Sequence, residues 1–198
     1  MQDKISIYDL PNFDSYIVLD TETTYNYKNS REELIEFCGF EINNSFDILN
    51  KFEFIVNPNC KITKQTFEIT GICDDHVIGK PSVDIYLDKL HSFIHNKNIF
   101  AHNANFDKRV LENAFHKYSA NIPNCNFVDT LKIARNIFPS QSNSLTSLKK
   151  RFNIEYESHR ARGDVLATIE LISRFNDIYK ERGISLFKTL DDFRIKFY

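Results

Sequence analysis

The sequence contains no tryptophan, one methionine, and only five glycines and five prolines among its 198 residues. It has no Gly/Ser linker, no internal repeat and no low-complexity tract, so it offers no candidate boundary between two large domains. A run of about 18 apolar residues, the minimum for a membrane-spanning helix, is also missing. The charged start, Met1 to Asp9, lacks the apolar stretch of a signal peptide. We therefore expect a soluble, cytoplasmic protein with no membrane partner.

An excess of charge of one sign is missing as well. Twenty-five Lys plus Arg stand against 27 Asp plus Glu, a formal net charge of −2. No global basic field indicates a polyanionic partner, so any contact with nucleic acid has to be local. The four cysteines form no CxxC pair and no zinc-binding spacing, which predicts four reduced thiols: Cys38, Cys60, Cys73 and Cys125.

Bulky apolar residues are plentiful. Apolar residues make up 42% of the chain, including 18 Phe and 9 Tyr. A chain of this length and composition can bury a core without disulfides, which excludes intrinsic disorder and predicts one domain with at most a short appendage.

The order of apolar patterns predicts an α/β fold with a mixed sheet. The first three strands follow one another, with turn residues at Asn43-Asn44-Ser45, and the later strands alternate with helices. Ile184–Tyr198 is expected to add one more helical face, as a lid or a docking segment. Strands are predicted at 16–20, 34–42, 46–56, 98–102 and 126–129, and helices at 63–70, 83–95, 105–118, 130–138, 145–152 and 164–179.

Asp20 and Glu22 lie two residues apart at the end of the first strand. The period of two of a strand points both side chains to one face, where the carboxylates repel unless a cation lies between them. Oxygen ligands of this kind suit Mg²⁺ or Mn²⁺. Taken alone, the same triplet is more often a solvated turn.

Two further acids open helices. Asp107 lies in the first turn of the helix after the fourth strand, where the helix dipole favours a carboxylate and Asn103 or Asn105 is the expected N-cap. Asp164 opens the last long helix, five positions after His159 in the preceding loop. Neither acid indicates a function by itself.

Asp129 and His102 are polar residues at strand ends that we leave outside the catalytic set. Asp129 precedes an apolar helix and is expected to act as a cap or a satisfied core acid. His102 is expected to be a structural hydrogen-bonding partner.

Together, Asp20-Thr21-Glu22, the segment from His102 to Asp107 and His159-X-Ala-X-X-Asp164 resemble the three motifs of DnaQ-like (DEDDh) 3'-5' exonucleases, such as the epsilon-type proofreading exonucleases of DNA polymerase III. The resemblance implies a ribonuclease H-like fold, a mixed five-stranded sheet flanked by helices. It predicts an exonuclease domain over 1–183, with its core at about 16–180, and a short C-terminal extension over 184–198.

The resemblance also implies the roles of the site residues. Asp20, Glu22 and Asp164 would hold one Mg²⁺ or Mn²⁺ ion, and Asp20 with Asp107 would complete the site of a second. His159 would be the base that deprotonates the attacking water. The expected product is a 5'-mononucleotide.

Contacts with the 3'-end are implied around the first motif and after the third strand. Thr23, Phe67, Ile69, Asn103 and Arg160 are the predicted substrate-binding residues, although Phe67 or Ile69 in a short helix is also typical of a core. The basic run Lys149–Arg151 either neutralises phosphates or forms a solvated helix face. Thr23 to Asn26 departs from the Thr-Gly-Leu of many relatives, and Gly163 stands where Ala or another small residue is usual.

The sequence thus predicts a metal-dependent exonuclease that acts on DNA 3'-ends, as a polymerase proofreading subunit or a stand-alone trimming enzyme. An RNA 3'-exonuclease remains the first alternative, since the four acids do not test for a 2'-hydroxyl. A non-catalytic nucleic-acid-binding module is the second.

Overall fold

The computed structural model describes residues 15–157, 159–184, 186 and 190–196. The strands are β1 (Tyr16–Asn26), β2 (Arg31–Ile42), β3 (Ile48–Ile55), β4 (Asn98–Ala101), β5 (Asn126–Asp129) and β6 (Arg194–Lys196). The helices are α1 (Lys64–Thr70), α2 (Asp74–Val77), α3 (Asp84–Ile94), α4 (Asn105–Lys117), α5 (Thr130–Ile137), α6 (Leu145–Phe152) and α7 (Ala161–Glu181).

The strands form one mixed sheet in the order β3-β2-β1-β4-β5-β6. β1, β4 and β5 are parallel, whereas β2, β3 and β6 join antiparallel to a neighbour. The predicted mixed sheet is confirmed. β1 continues to Asn26, beyond its predicted end at Asp20, because it remains paired with β2 along the hairpin.

Alternate residues of β1 face two separate cores. Tyr16 and Val18 pack in the cluster that contains the buried faces of α5, α6 and α7. Ile17 and Leu19 pack in the cluster that contains α3 and α4. This alternation continues past Leu19, so Asp20 and Glu22 belong to the face that α7 covers, and Thr21 belongs to the face that α4 covers.

The C-terminal segment differs from its expected helical form. Leu190–Phe193 is a single 3₁₀ helix, and β6 then pairs antiparallel with β5 at the edge of the sheet. Leu186, Leu190 and Phe193 are buried in the α7-side core, while Phe187 lies outside the described residues. The addition of β6 covers backbone groups that β5 would otherwise leave unpaired at an edge.

The helix ends follow local chemistry. Thr63 caps α1 by accepting a hydrogen bond from the Thr66 N–H, and Gly71 closes that helix at φ 70°. None of the helices in the described ranges is long and apolar enough to cross a membrane. All four cysteines are free, as predicted.

Candidate active site

Three carboxylates converge where β1 meets the start of α7. Asp20, Glu22 and Asp164 each offer an oxygen, and these three oxygens lie within 4.8 Å of one another. The pairing is built into the fold, because α7 packs on the face of β1 that carries both strand acids. Hard oxygen donors at this separation fit a small divalent cation.

The electrostatics of the site explain why a cation fits there. Loss of hydration, followed by the charges of Asp107, Glu22 and Asp164, raises the pKa of Asp20 well above its usual range. Burial and the charges of Asp164 and Glu36 raise the pKa of Glu22 to about 8. Without a cation, the folded chain therefore disfavours full ionisation of this cluster.

Asp107 reaches the site from the other face of the sheet. It lies in the first turn of α4, is 2% exposed, and accepts a 2.8 Å hydrogen bond from the Thr21 hydroxyl. Burial raises the pKa of Asp107. Within the described residues it is not part of the three-carboxylate group, yet its charge acts on Asp20. Asp107 therefore lies next to the group, hydrogen-bonded to the residue between the two strand acids.

His159 is exposed and lies two residues before the start of α7. Its backbone adopts the left-handed conformation, with φ 62°, and its N–H donates to Asp164 Oδ2 at 3.0 Å. This hydrogen bond ties the backbone of the predicted base to a predicted metal ligand.

Gly163 allows the loop before His159 to lie against α7. A Cβ atom on Gly163 would stand 1.9 Å from the carbonyl oxygen of Glu157. Glycine is therefore required at this position by the close approach of this loop.

Lys149 lies beneath the same loop and is 6% exposed. Its ammonium donates to the carbonyl of Tyr156 at 2.7 Å and lies 3.7 Å from Asp164 Oδ1. The expectation of a solvated face is wrong for this residue. Lys150 is exposed, and Arg151 packs over the Phe138 ring at 4.4 Å.

Arg160 and Glu36 connect β2 to the start of α7. The guanidinium of Arg160 donates to both carboxylate oxygens of Glu36, at 2.8 and 3.1 Å, and the Ala161 N–H donates to the same side chain. Glu36 therefore satisfies an unpaired N–H in the first turn of α7. Substrate binding by Arg160 stays a prediction.

A cleft of about 540 Å³ opens beside Glu22. Thr23 and Ile69, two of the predicted substrate-binding residues, line it, and Phe67 does not. Thr66 joins its two walls, because its hydroxyl in α1 donates to the Thr23 carbonyl at 3.2 Å. The cleft thus starts at a predicted metal ligand and runs between β1 and α1.

The side chain of Asp129 links the start of α5 to the backbone of Asn103, which precedes α4. Asp129 caps α5 by accepting from the Leu131 N–H at 2.9 Å, which confirms its structural role, and also accepts from the Asn103 N–H at 3.1 Å. The N-cap position of α4 is Ala104, so the expectation that Asn103 or Asn105 caps that helix is wrong. Asn103 adopts φ 68°.

His102 is a structural partner, as predicted. Its two ring nitrogens lie 3.0 Å from the Thr130 hydroxyl and 3.0 Å from the Asn143 carbonyl. Burial lowers the pKa of His102.

The sequence model of the exonuclease family matches residues 17–172, which hold all of these acids. The chain belongs to the exonuclease family. This confirms the resemblance that the three motifs carry.

Two curated relatives illustrate the range of this exonuclease family. The chain is 34% identical over 186 residues to DNA polymerase III PolC-type of Halalkalibacterium halodurans, covering 92% of this chain and 13% of that protein. It is 34% identical over 180 residues to DNA polymerase III subunit epsilon of Buchnera aphidicola subsp. Baizongia pistaciae, covering 83% of this chain and 70% of that protein. The chain therefore spans about an eighth of the length of the PolC-type relatives.

Solved structures of exonucleases share the fold. Exonuclease X in complex with 5' overhanging duplex DNA superposes with a TM-score of 0.67 at 23% identity, covering 89% of this chain and 98% of the other. Exonuclease I gives a TM-score of 0.74 at 20% identity, covering 90% and 43%. The expected ribonuclease H-like fold is confirmed, and β6 adds a sixth strand to the five predicted.

Sequence reasoning did not assign the structural roles of three residues at the site: Thr21, Glu36 and Lys149. Lys149 could have been found, because Leu145, Leu148 and Phe152 place it on the apolar face of its helix. Glu36 gave only a weak signal, an acid within an otherwise buried strand.

Proposed function

We propose that this chain is a metal-dependent 3'-5' exonuclease that hydrolyses the last phosphodiester bond of a DNA strand and releases a 5'-mononucleotide. The observation that carries the proposal is the convergence of Asp20, Glu22 and Asp164, with Asp107 next to them and the backbone of His159 bonded to Asp164. Structural reasons alone do not account for Asp20 and Glu22, two acids whose pKa values are raised by burial and by the charges of the neighbouring carboxylates.

The donor set fits Mg²⁺ or Mn²⁺. Asp20, Glu22 and Asp164 would hold one ion, and Asp20 with Asp107 would hold a second. When bound, such a pair of ions stabilises the attacking and the leaving oxygen of an in-line displacement.

The chain's own residues supply the proton acceptor and the contacts that bind the nucleic-acid strand. The imidazole of His159 is exposed and accepts the proton of the attacking water. The hydrogen bond from its backbone N–H to Asp164 fixes the position of His159 relative to this proposed metal ligand. Thr23 and Ile69 line the cleft that receives the nucleotide next to Glu22.

A DNA polymerase is the proposed partner, with proofreading as the setting. Both relatives described above carry DNA polymerase III in their names, and the epsilon subunit is matched over most of its length.

The test incubates 5'-labelled single-stranded DNA and RNA with Mg²⁺, with Mn²⁺ and with EDTA. The shortening of the labelled strand measures the release of mononucleotides from its 3'-end. We expect stepwise shortening from the 3'-end of DNA only when metal is present. Asp20→Asn and His159→Ala should each lower kcat by at least about a hundredfold. Asp88→Asn, an exposed acid on α3, is the matched control and should keep the parental rate.

Three results would overturn the proposal. Shortening in EDTA would contradict the metal dependence, and a parental rate for Asp20→Asn would contradict the site. A higher kcat/KM on RNA than on DNA would replace DNA by RNA as the substrate.

A further inference from the structure

Lys149 is a buried lysine beside the carboxylates, and the proposed chemistry does not use it. Its side chain is 8% exposed, whereas the next residue of α6, Lys150, is exposed. Lysine is rarely buried to this extent, because an ammonium group that leaves water is costly unless polar partners replace its hydration. The contacts of this ammonium therefore indicate what the buried charge does.

The ammonium of Lys149 contacts two parts of the site. It donates to the carbonyl of Tyr156 at 2.7 Å, and it lies 3.7 Å from Asp164 Oδ1. The other oxygen of the same carboxylate, Asp164 Oδ2, accepts from the His159 N–H at 3.0 Å. One oxygen of Asp164 thus faces a side chain of α6, and the other faces the backbone of the loop that carries His159.

These contacts hold the loop between α6 and α7 at two points. Tyr156 and His159 are three positions apart in the chain, and they bond to Lys149 and to Asp164. Lys149 belongs to α6 and Asp164 to α7, two helices that contact each other and pack in the same core. The loop therefore cannot shift at either point without the loss of a hydrogen bond to a rigid element.

The backbone of this loop is restrained at two further positions. The Glu157 carbonyl oxygen lies so close to α7 that a Cβ on Gly163 would stand 1.9 Å from it. His159 adopts φ 62°, a left-handed conformation that is uncommon outside glycine. A backbone in such a conformation persists only where its surroundings fix it, and the hydrogen bond from Lys149 is part of those surroundings.

We propose that Lys149 is a positioning residue, whose ammonium anchors the Tyr156 carbonyl and thereby holds the imidazole of His159 where it accepts the proton of the attacking water. The inference rests on the proposed exonuclease function. Lys149 does not line the cleft beside Glu22, so it acts through His159 and not by contact with the nucleotide. A displacement of about 1 Å is enough to lower the rate strongly, because proton transfer requires hydrogen-bond distance.

The experiment compares Lys149→Met with the parent in the full chain, because methionine retains an apolar stem and removes the ammonium. On single-stranded DNA with Mg²⁺, we expect kcat to fall at least about tenfold and KM to stay within about twofold. Lys89→Met, which removes an exposed lysine of α3 on the other face of the sheet, is the matched control and should keep both values. A raised KM at parental kcat would instead show contact with the substrate and overturn the positioning role.

A double variant tests whether Lys149 acts through His159. In a chain that already carries His159→Ala, Lys149→Met should lower kcat by less than about twofold, because the base that it positions is gone. The full loss in that background would disprove the inference.

Titration with Mn²⁺ without substrate tests the other neighbour, Asp164. Lys149→Met removes a positive charge beside this carboxylate, so we expect the Kd for Mn²⁺ to be no higher than in the parent. Weaker Mn²⁺ binding would show that Lys149 holds the metal ligand and not the base, which would contradict the proposed role.

Amide hydrogen exchange separates this inference from the proposed function, because it needs no turnover. In Lys149→Met, the His159 N–H should exchange at least about tenfold faster, while the amides of β4 and α3 keep their parental rates. Faster exchange at His159 together with an inactive parent would sink the exonuclease proposal and keep the anchor. Parental exchange at His159 in an active enzyme, or faster exchange throughout the chain, would sink only the anchor.

Discussion

At Asp20, the requirement of catalysis for a carboxylate conflicts with the stability of the metal-free fold. Its carboxylate is buried beside Glu22, Asp107 and Asp164, and all of these charges disfavour its ionised form. We expect Asp20→Asn to abolish turnover and to stabilise the metal-free fold by about 1 kcal/mol at pH 8.

The pH dependence has a definite sign. A carboxyl whose folded pKa is raised stabilises the fold below its unfolded pKa, here 3.8, and loses that contribution as the pH rises through the folded value. The gain from Asp20→Asn should therefore be larger at pH 8 than at pH 5 in thermal unfolding with EDTA. A variant less stable than the parent at pH 8 would contradict the repulsion.

Gly163 is a steric requirement at the start of α7. Alanine at this position would bring a Cβ to 1.9 Å from the Glu157 carbonyl oxygen, so the loop to His159 must shift. We expect Gly163→Ala to cost about 2 kcal/mol of stability and at least tenfold in kcat, measured by chemical denaturation and by turnover. Parental values for both would show that the loop moves freely.

At the scale of the element, a variant of Arg160 separates a structural role of this side chain from a role in substrate binding. Its ion pair with Glu36 holds β2 to α7, and its removal leaves a mostly buried carboxylate without its counter-charge, although the Ala161 N–H still donates to it. We expect Arg160→Gln to cost about 2 kcal/mol of stability and to leave KM within twofold.

Arg162→Gln is the matched control, because its partner Glu53 is more exposed and the pair should contribute less. A tenfold rise in KM for Arg160→Gln at parental stability would instead support phosphate binding.

The C-terminal segment stabilises the edge of the sheet. Phe193 is 7% exposed in the core that also contains Val128 of β5 and Phe175 of α7. Phe193→Ala should cost about 3 kcal/mol of unfolding free energy, measured by urea denaturation. Phe67→Ala, at a half-exposed position, should cost less than about 1 kcal/mol, and equal losses would contradict this packing.

The elements themselves were predicted best where the pattern is local. β5 and α6 have their predicted bounds, because a four-residue strand with an apolar centre and a Ser144 cap with apolar spacing are readable within a short window. α7 begins three residues before its predicted start. β6 was missed, because a three-residue edge strand is defined by the partner it pairs with.

At the scale of the whole molecule, the site links distant parts of the chain. The carboxylates come from β1, α4 and α7, so a cation that binds them stabilises the global fold and not one segment. Mg²⁺ at a hundred times its Kd should add about 2.7 kcal/mol of stability, seen as a rise in Tm that EDTA reverses. Asp20→Asn should show little of this rise, and an unchanged Tm in the parent would contradict metal binding.

The sequence by itself determined which residues offer carboxylate oxygens to a metal ion and on which face of β1 each of them lies. The alternation along β1 sends Asp20 and Glu22 to one side and Thr21 to the other, whatever packs there, because a strand has a period of two. Only the tertiary structure decided which charges are already paired. Lys149 meets Asp164 and Arg160 meets Glu36 across 15 and 124 positions, and such partners depend on how helices pack on a sheet. For the same reason, the cleft beside Glu22 exists only once β1, α1 and α4 have come together.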